Sequence, residues 1–277
     1  MRVPSMLRSS RLGDPIARGG RSEIYALGGT QVVKFYDREV DEGEAEREAM
    51  FARLARESGA CTPEVGASVV HDAETGRVGL VMSRVQGVPL VNAIIAKPWR
   101  MGWASREFAS AMCQLHSCVA VAGFDHQHEW LASNIEGAQL LDTEWRARML
   151  RRLRALPSGD RLCHGDFHPG NLLLGAGRTT LIDWPNALIG NPVGDLARSW
   201  LLMRFPLRVD VVYRTYLRLF ARAILRACMR EGMSLPHFRD WVAVNAAARI
   251  GELGPFMDMG HMAAWLQRYE RRWLLPA

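Results

Sequence analysis

The sequence is almost without lysine. Of its 35 basic residues only Lys34 and Lys97 are lysines. Arginine serves wherever positive charge alone will do, so a retained lysine hints at a position that needs a compact ammonium. Cysteine is also scarce. Cys61, Cys113, Cys118, Cys163 and Cys228 are odd in number, scattered, and contain no CxxC pair, which argues against a zinc or disulfide framework. No apolar run approaches the roughly 18 residues of a membrane span. Met1 to Asp14 is polar and basic with no apolar h-region, so neither a secretory signal nor a membrane partner is expected, and the expected location is cytoplasmic. Neither GxxxxGK[ST] nor GxGxxG occurs, which argues against a P-loop ATPase.

What is present is an ordinary globular composition, 48% hydrophobic and 23% charged, able to bury a core without staples. A length of 277 residues suggests two domains or one large two-lobed one. The formal charge of +6 is spread along the chain. Its densest group, Arg146 to Arg154, has helical spacing with Leu150, Leu153 and Leu156 between, which describes a solvated helix face. No nucleic-acid partner is expected.

The first eighty-odd residues read as β-rich. Ile16 to Leu27 forms a hairpin candidate around Gly19-Gly20, and Gln31 to Tyr36 is a strand. Glu42 to Ser58 changes to helical period. Val65 to His71 and Arg77 to Val85 read as strands around an Asp72–Gly76 turn. Gln86 to Pro89 is a turn-rich connector and the candidate boundary between residues 1–85 and 86–277. Helical patterns follow at Ser105–Ala122, Gly137–Leu156, Leu196–Arg230 (interrupted near Pro206), Pro236–Leu253 and His261–Leu275. A loop-and-strand region lies at Arg161–Asp195. The expected class is α+β, a small β-rich lobe before a larger, mainly helical one.

The chemistry concentrates in His164-Gly165-Asp166-Phe167-His168-Pro169-Gly170-Asn171, with Asp183 twelve residues beyond Asn171. Phosphoryl transfer needs a carboxylate to orient and deprotonate a hydroxyl, and oxygen ligands to hold Mg²⁺ against phosphates. Asp166, Asn171 and Asp183 supply those groups. Leu172–Leu174 and Thr180–Ile182, around the Gly175–Gly177 turn, form a hairpin that would bring Asp183 beside Asn171. Each residue alone would be an ordinary turn residue; the spacing between two apolar strands makes the set distinctive.

This segment resembles the catalytic loop of the aminoglycoside phosphotransferase and choline-kinase-like superfamily. Ile182-Asp183-Trp184 is similar to its metal-binding strand end, and Gly194-Asp195-Leu196-Ala197 to the motif that follows. The resemblance implies a two-lobed protein-kinase-like fold. Asp166 would be the catalytic base, Asn171 and Asp183 the Mg²⁺ ligands, and His164 and Asp195 braces of the loop. His168 would contact metal or phosphate, or pack the loop. In the first lobe Lys34 would face the phosphates of ATP or GTP with Glu48 as its partner, although Glu44 or Glu46 lies one helical turn away. Gly19, Gly20 and Ser22 would belong to the phosphate-covering turn, and the backbone of Ser83 and Val85 would bind the base.

A protein kinase fits less well. The loop reads His-Gly-Asp rather than His-Arg-Asp, Asp183 is followed by Trp184-Pro185, and eleven residues, Trp184 to Gly194, separate Asp183 from Asp195. The acceptor is therefore expected to be a small, polar, hydroxyl-bearing molecule. Asp240, Glu252, Asp258 and Glu270 could form an acidic wall for a cationic acceptor, opposed by Arg268, Arg271 and Arg272. Trp241, Trp265 and Trp273 are core or stacking candidates. A non-catalytic nucleotide-binding relative of the same fold is the alternative.

Overall fold

The structure is a computed structural model that describes residues 5–206 and 210–274, with the side chains of 271–274 outside the description. Leu275 and the side chains of Arg271, Arg272 and Trp273 therefore lie outside the described residues, as does the chain before residue 5. In chain order the strands are β1 Met6–Leu7, β2 Ala17–Arg18, β3 Ser22–Leu27, β4 Gln31–Tyr36, β5 Val70–Asp72, β6 Val78–Ser83, β7 Val88–Pro89, β8 Asp125–His126, β9 Arg161–Cys163, β10 Leu172–Leu174, β11 Thr179–Leu181 and β12 Leu188–Gly190. The α-helices are α1 Glu42–Glu57, α2 Leu90–Ala96, α3 Met101–Ser117, α4 Gln127–Glu136, α5 Thr143–Ala155, α6 Pro192–Arg204, α7 Val211–Arg230, α8 Phe238–Leu253 and α9 Gly260–Leu274. By internal contacts the chain divides into two units. One comprises Met1–Ala93, Val121–Gly123 and Gly170–Asn186; the other comprises Ile94–Ala120, Phe124–Pro169 and Ala187–Ala277.

The first unit is built on a six-stranded sheet in the order β1-β5-β6-β4-β3-β2, antiparallel except for the β1–β5 pair. β4 is buried on both faces and shows strict alternation. Val33 and Phe35 enter one core with Tyr25, Val70 and Val81. Tyr36 enters another with Ala45, Ala49 and Leu80. Phe35 lies opposite Gly79 on β6, where a β-carbon would come within 2.6 Å of its ring. α1 is capped by Asp41, whose carboxylate accepts the Glu44 N–H. Ala45, Glu48, Ala49 and Ala52 form its inward stripe, so helical periodicity carries Glu48 inside together with the alanines. A smaller sheet, β11-β10-β7, places a strand where only a connector is expected, at Val88–Pro89.

The second unit is mainly helical, with a small sheet β8-β12-β9. One hydrophobic core joins residues of α4, α5, α6, α8 and α9. α8 is buried without a break from Trp241 to Ile250. α4 is absent from the sequence expectation because its apolar signal is short, with only Leu131 and Ile135 as buried apolar side chains. α5 starts at Thr143, later than expected, because the Asp142 carboxylate accepts the Trp145 N–H and caps the helix there. α6 starts earlier than expected: Asn191 caps it and Pro192 occupies its first turn. Among the described residues no helix is long and apolar enough to cross a membrane.

Candidate active site

In the first unit Lys34 sits between two carboxylates. Its ammonium donates to both oxygens of Glu48, at 2.7 and 2.9 Å, and to Asp183 Oδ1 at 2.7 Å. The Tyr36 hydroxyl, two residues along the same strand face, donates to Glu48 Oε2 at 2.7 Å. Burial alone would lower the Lys34 pKa, but Asp183 and Glu48 outweigh it and raise the value. Burial raises Glu48, against the pull of Lys34, and it raises Tyr36 as well, with the Glu48 charge adding to it. The lysine is thus a permanent cation. Glu44 and Glu46 stay exposed, and Glu44 pairs with Arg21 instead.

Asp183 follows β11, and the β10–β11 register places Asn171 opposite Ile182, whose N–H donates to the Asn171 carbonyl at 3.1 Å. Asp183 has φ 71°, a left-handed conformation that costs about 1–3 kcal/mol in a non-glycine residue. Trp184 secures this turn: its buried indole donates to Thr62 Oγ1 at 2.8 Å. The Asp183 side chain remains 39% exposed although it holds a buried lysine. A carboxylate and an amide oxygen on one hairpin are the hard donors that Mg²⁺ takes, so Asp183 and Asn171 fit the ion that the sequence resemblance implies. A small cavity lined by Glu48, Val65, Leu80, Met82, Ile182 and Asp183 opens beside them.

The expected phosphate turn closes the β2–β3 hairpin, with the Gly19 N–H donating to the Ser22 carbonyl at 2.8 Å; Gly19 and Gly20 are exposed and Ser22 is buried. At the end of β6 the Ser83 N–H is already donated to the Glu64 carbonyl at 2.8 Å.

The second unit holds Asp166 and its supports. Gly165, at φ 72°, lets the loop turn between His164 and Asp166. The turn points the His164 and Gly165 N–H groups at the two Asp195 oxygens, at 3.0 and 2.9 Å. His116 Nε2 lies 3.0 Å from Asp195 Oδ2. Burial would raise Asp195, but His116 and the two backbone donors hold it below the usual carboxylate range. Asp195 thus accepts two backbone N–H groups of this loop, and His164 Nδ1 accepts the Asp166 N–H at 3.3 Å. His164 also packs edge-on to Phe167, which packs on Phe108. Burial opposes ionisation of Asp166, yet His168, Arg198 and His164 keep its pKa low, and the carboxylate is ionised. His168 Nε2 stands 3.6 Å from Asp166 Oδ2.

His116, Cys163 and Asp195 present donor atoms within 4.8 Å of one another. The Asp195 oxygens are already engaged, and burial raises the Cys163 thiol well above its ordinary value, so it stays protonated. The group is a structural lock rather than a metal site.

Residues 14–231 match the model of a phosphotransferase enzyme family. The chain belongs to that family. No curated protein matches the sequence significantly. Among solved structures, the ternary complex of a thermostable mutant of aminoglycoside phosphotransferase APH(4)-Ia with AMP-PNP and hygromycin B is similar at 18% identity and a TM-score of 0.61, over 92% of this chain and 90% of that one. The amicoumacin kinase hAmiN, in complex with AMP-PNP, Ca²⁺ and Ami, is similar at 13% identity and 0.61, over 95% and 88%. A choline/ethanolamine kinase family protein from Mesorhizobium loti is similar at 18% and 0.58, over 96% and 90%. This phosphotransferase therefore has the two-lobed, protein-kinase-like α+β fold expected from the sequence.

Sequence reasoning missed Tyr36, His116 and Arg198. Tyr36 carried a usable signal, its two-residue spacing from Lys34. His116 lies on α3, 79 residues before its partner, and nothing local marks it. Arg198 reaches back from α6 to the Gly165 carbonyl and pairs in bidentate fashion with Glu252, at 3.0 and 2.8 Å. The anticipated acidic wall is engaged internally. Glu252 serves Arg198, Glu270 and Asp240 pair with Arg152, and Asp258 accepts the Gly260 N–H. Trp241 is a core residue, and Trp265 packs on Phe205 and Tyr269.

Proposed function

We propose that this phosphotransferase moves the γ-phosphate of ATP to a hydroxyl group of a small polar molecule. The observation that carries the reading is the buried ammonium of Lys34, held at 2.7 Å from both Glu48 and Asp183. A cation desolvated at this cost and gripped from two sides is a preorganised phosphate ligand. Asp183 and Asn171 would hold Mg²⁺, which when bound neutralises charge on the phosphates. The Gly19–Ser22 turn would cover them. The base would lie in the cavity near Val65, Leu80 and Met82, with backbone groups at Val85 and the Ser83 carbonyl as its polar contacts. In the transfer the acceptor O–H gives its proton to Asp166. Its oxygen bonds the γ-phosphorus as the bond to the β–γ bridging oxygen breaks, and ADP leaves. The cytoplasm, where ATP is supplied, is the fitting location.

The experiment is ADP release with Mg²⁺ and either ATP or GTP across hydroxyl compounds of different charge, beside generic protein substrates. Stimulation by one small-molecule class, lost in Asp166→Asn, supports the reading. Phosphorylation of proteins with no small-molecule response would replace it by a protein-kinase activity.

A further inference from the structure

Arg249, on α8, is out of place as a structural residue. Its side chain is 8% exposed. Among the described residues it makes no hydrogen bond, and its Nε is buried with no partner. Its one ion pair, Nη1 to Glu252 Oε2, is long at 3.9 Å, and that carboxylate is already engaged by both Arg198 nitrogens. Two guanidiniums therefore share one glutamate. Arg198 is otherwise satisfied, since it holds the Gly165 carbonyl and lies over the Trp130 ring at 4.6 Å. Burial and the Arg198 charge push Arg249 down to about 10, while Glu252 and Asp166 resist the fall. Through Glu252 and Arg198, which holds the Gly165 carbonyl next to Asp166, Arg249 is tied to the loop that carries Asp166. A buried guanidinium with unused donors is costly unless a ligand completes it.

The other charges in this region remove the natural rival. A polycationic acceptor needs carboxylates to meet it, and of the four candidates Glu252 and Glu270 are held by Arg198 and Arg152, which leaves only the partly exposed Asp240, itself paired with Arg152, and Asp258. A cation brought beside Asp166 would meet Arg249 as a like charge.

We infer that Arg249 receives an anionic group of the acceptor, a carboxylate or a phosphate, so that the hydroxyl compound phosphorylated at Asp166 is an acid rather than a polyamine. The inference rests on the kinase reading and names its substrate class. The guanidinium fork suits both anions in bidentate fashion, and it would fix the acceptor's far end while Asp166 addresses its hydroxyl.

The test uses acceptors on one carbon frame: glycerate, glycerol 3-phosphate, glycerol and 3-amino-1,2-propanediol, with glucuronate, glucose 6-phosphate, glucose and glucosamine as a second frame. In the presence of AMP-PNP and Mg²⁺, calorimetry should show an anionic member binding the wild-type protein at least about tenfold more tightly than its ammonium counterpart. The carboxylate and phosphate arms identify which anion is preferred. With ATP, the same order should appear in kcat/KM. Arg249→Gln should collapse the anion-to-neutral ratio to within about threefold through the acceptor KM, with little change in the KM for ATP, and Arg249→Lys should restore part of it. If the glutamine variant does not fold, the lysine variant and the wild-type ratios still decide. Preference for the ammonium members, failure of every anionic probe to bind, or an equal loss with all acceptors would overturn the inference and leave the kinase reading intact. Nucleotide binding unaltered by Asp183→Ala, with no acceptor stimulating ADP release, would overturn the kinase reading itself.

Discussion

The two units each contain a buried ionic cluster, and the clusters are built to opposite ends. In the first unit, Lys34, Glu48 and Asp183 leave one member open to solvent at 39% exposure. In the second, Asp195 and His116 are sealed, and every Asp195 oxygen is matched by a backbone or imidazole donor. With both oxygens matched, the Asp195 carboxylate has no capacity left for a ligand and can only position what surrounds it. An open cluster bears the desolvation cost of Lys34 and keeps a carboxylate edge for chemistry. Under the proposed function, the open cluster would meet the nucleotide, while the sealed one holds the backbone of its own loop. Neither can be recognised from charge content alone, because each contains a cation and a carboxylate.

The comparison is broken most severely at the residue that the sealed cluster supports. Asp166→Asn should lower turnover by on the order of 10²–10⁴ while nucleotide affinity stays within a few-fold, because only the proton acceptor is lost. Steady-state kinetics beside equilibrium nucleotide binding checks this, and a near wild-type turnover would remove Asp166 from the role. Asp195→Ala should act on stability instead. It strands two buried N–H groups and His116, so urea unfolding should register a loss of about 3–5 kcal/mol. In the open cluster the change should appear in binding. Asp183→Ala should weaken Mg²⁺-dependent nucleotide binding by about tenfold or more, and Asn171→Ala by less, since an amide brings no charge to the ion. Metal titrations of both variants with a fluorescent nucleotide would show an unchanged Mg²⁺ dependence if the ion binds elsewhere.

The smallest effect concerns pH. Asp195 has a depressed pKa in the folded state, so its stabilising contribution is complete above the unfolded carboxylate value of about 3.9 and is lost as pH falls through the lower folded value. His116→Ala removes the largest influence opposing burial. The folded pKa should rise, and the acid-unfolding midpoint should move upward by on the order of half a pH unit. Acid titration followed by circular dichroism gives the midpoint directly, and a downward shift would contradict the assignment of His116 as the stabilising partner.

Much of the first unit is legible in the amino-acid order. β4 announces itself by β-branched and aromatic residues and α1 by period, and the hairpin at Leu172–Leu181 follows from two short apolar runs around glycines. Glu48 is distinguishable from Glu44 and Glu46 only by its place on the alanine stripe, a pattern the helix converts into burial. α4 is illegible because ten residues with few apolar positions carry too little periodicity. The acidic wall is misleading for a related reason. Composition places Asp240, Glu252 and Glu270 in the same helical region, but whether a carboxylate faces solvent or an arginine depends on partners distant in the chain, such as Arg152 and Arg198.

By itself the sequence determined the order of strands and helices that carry Lys34, Asp166, Asn171 and Asp183, because hydrophobic period and turn chemistry act over a few residues. It also determined the short spacing from Asp183 to Asp195. Tertiary structure alone decided that Tyr36 would support Glu48, that His116 would lock Asp195 across 79 residues, and that Arg249 would be buried with its Nε unpartnered among the described residues. The physical reason is that burial, and the cost of charge within it, depends on which surfaces the folded chain brings together, and no local pattern encodes that.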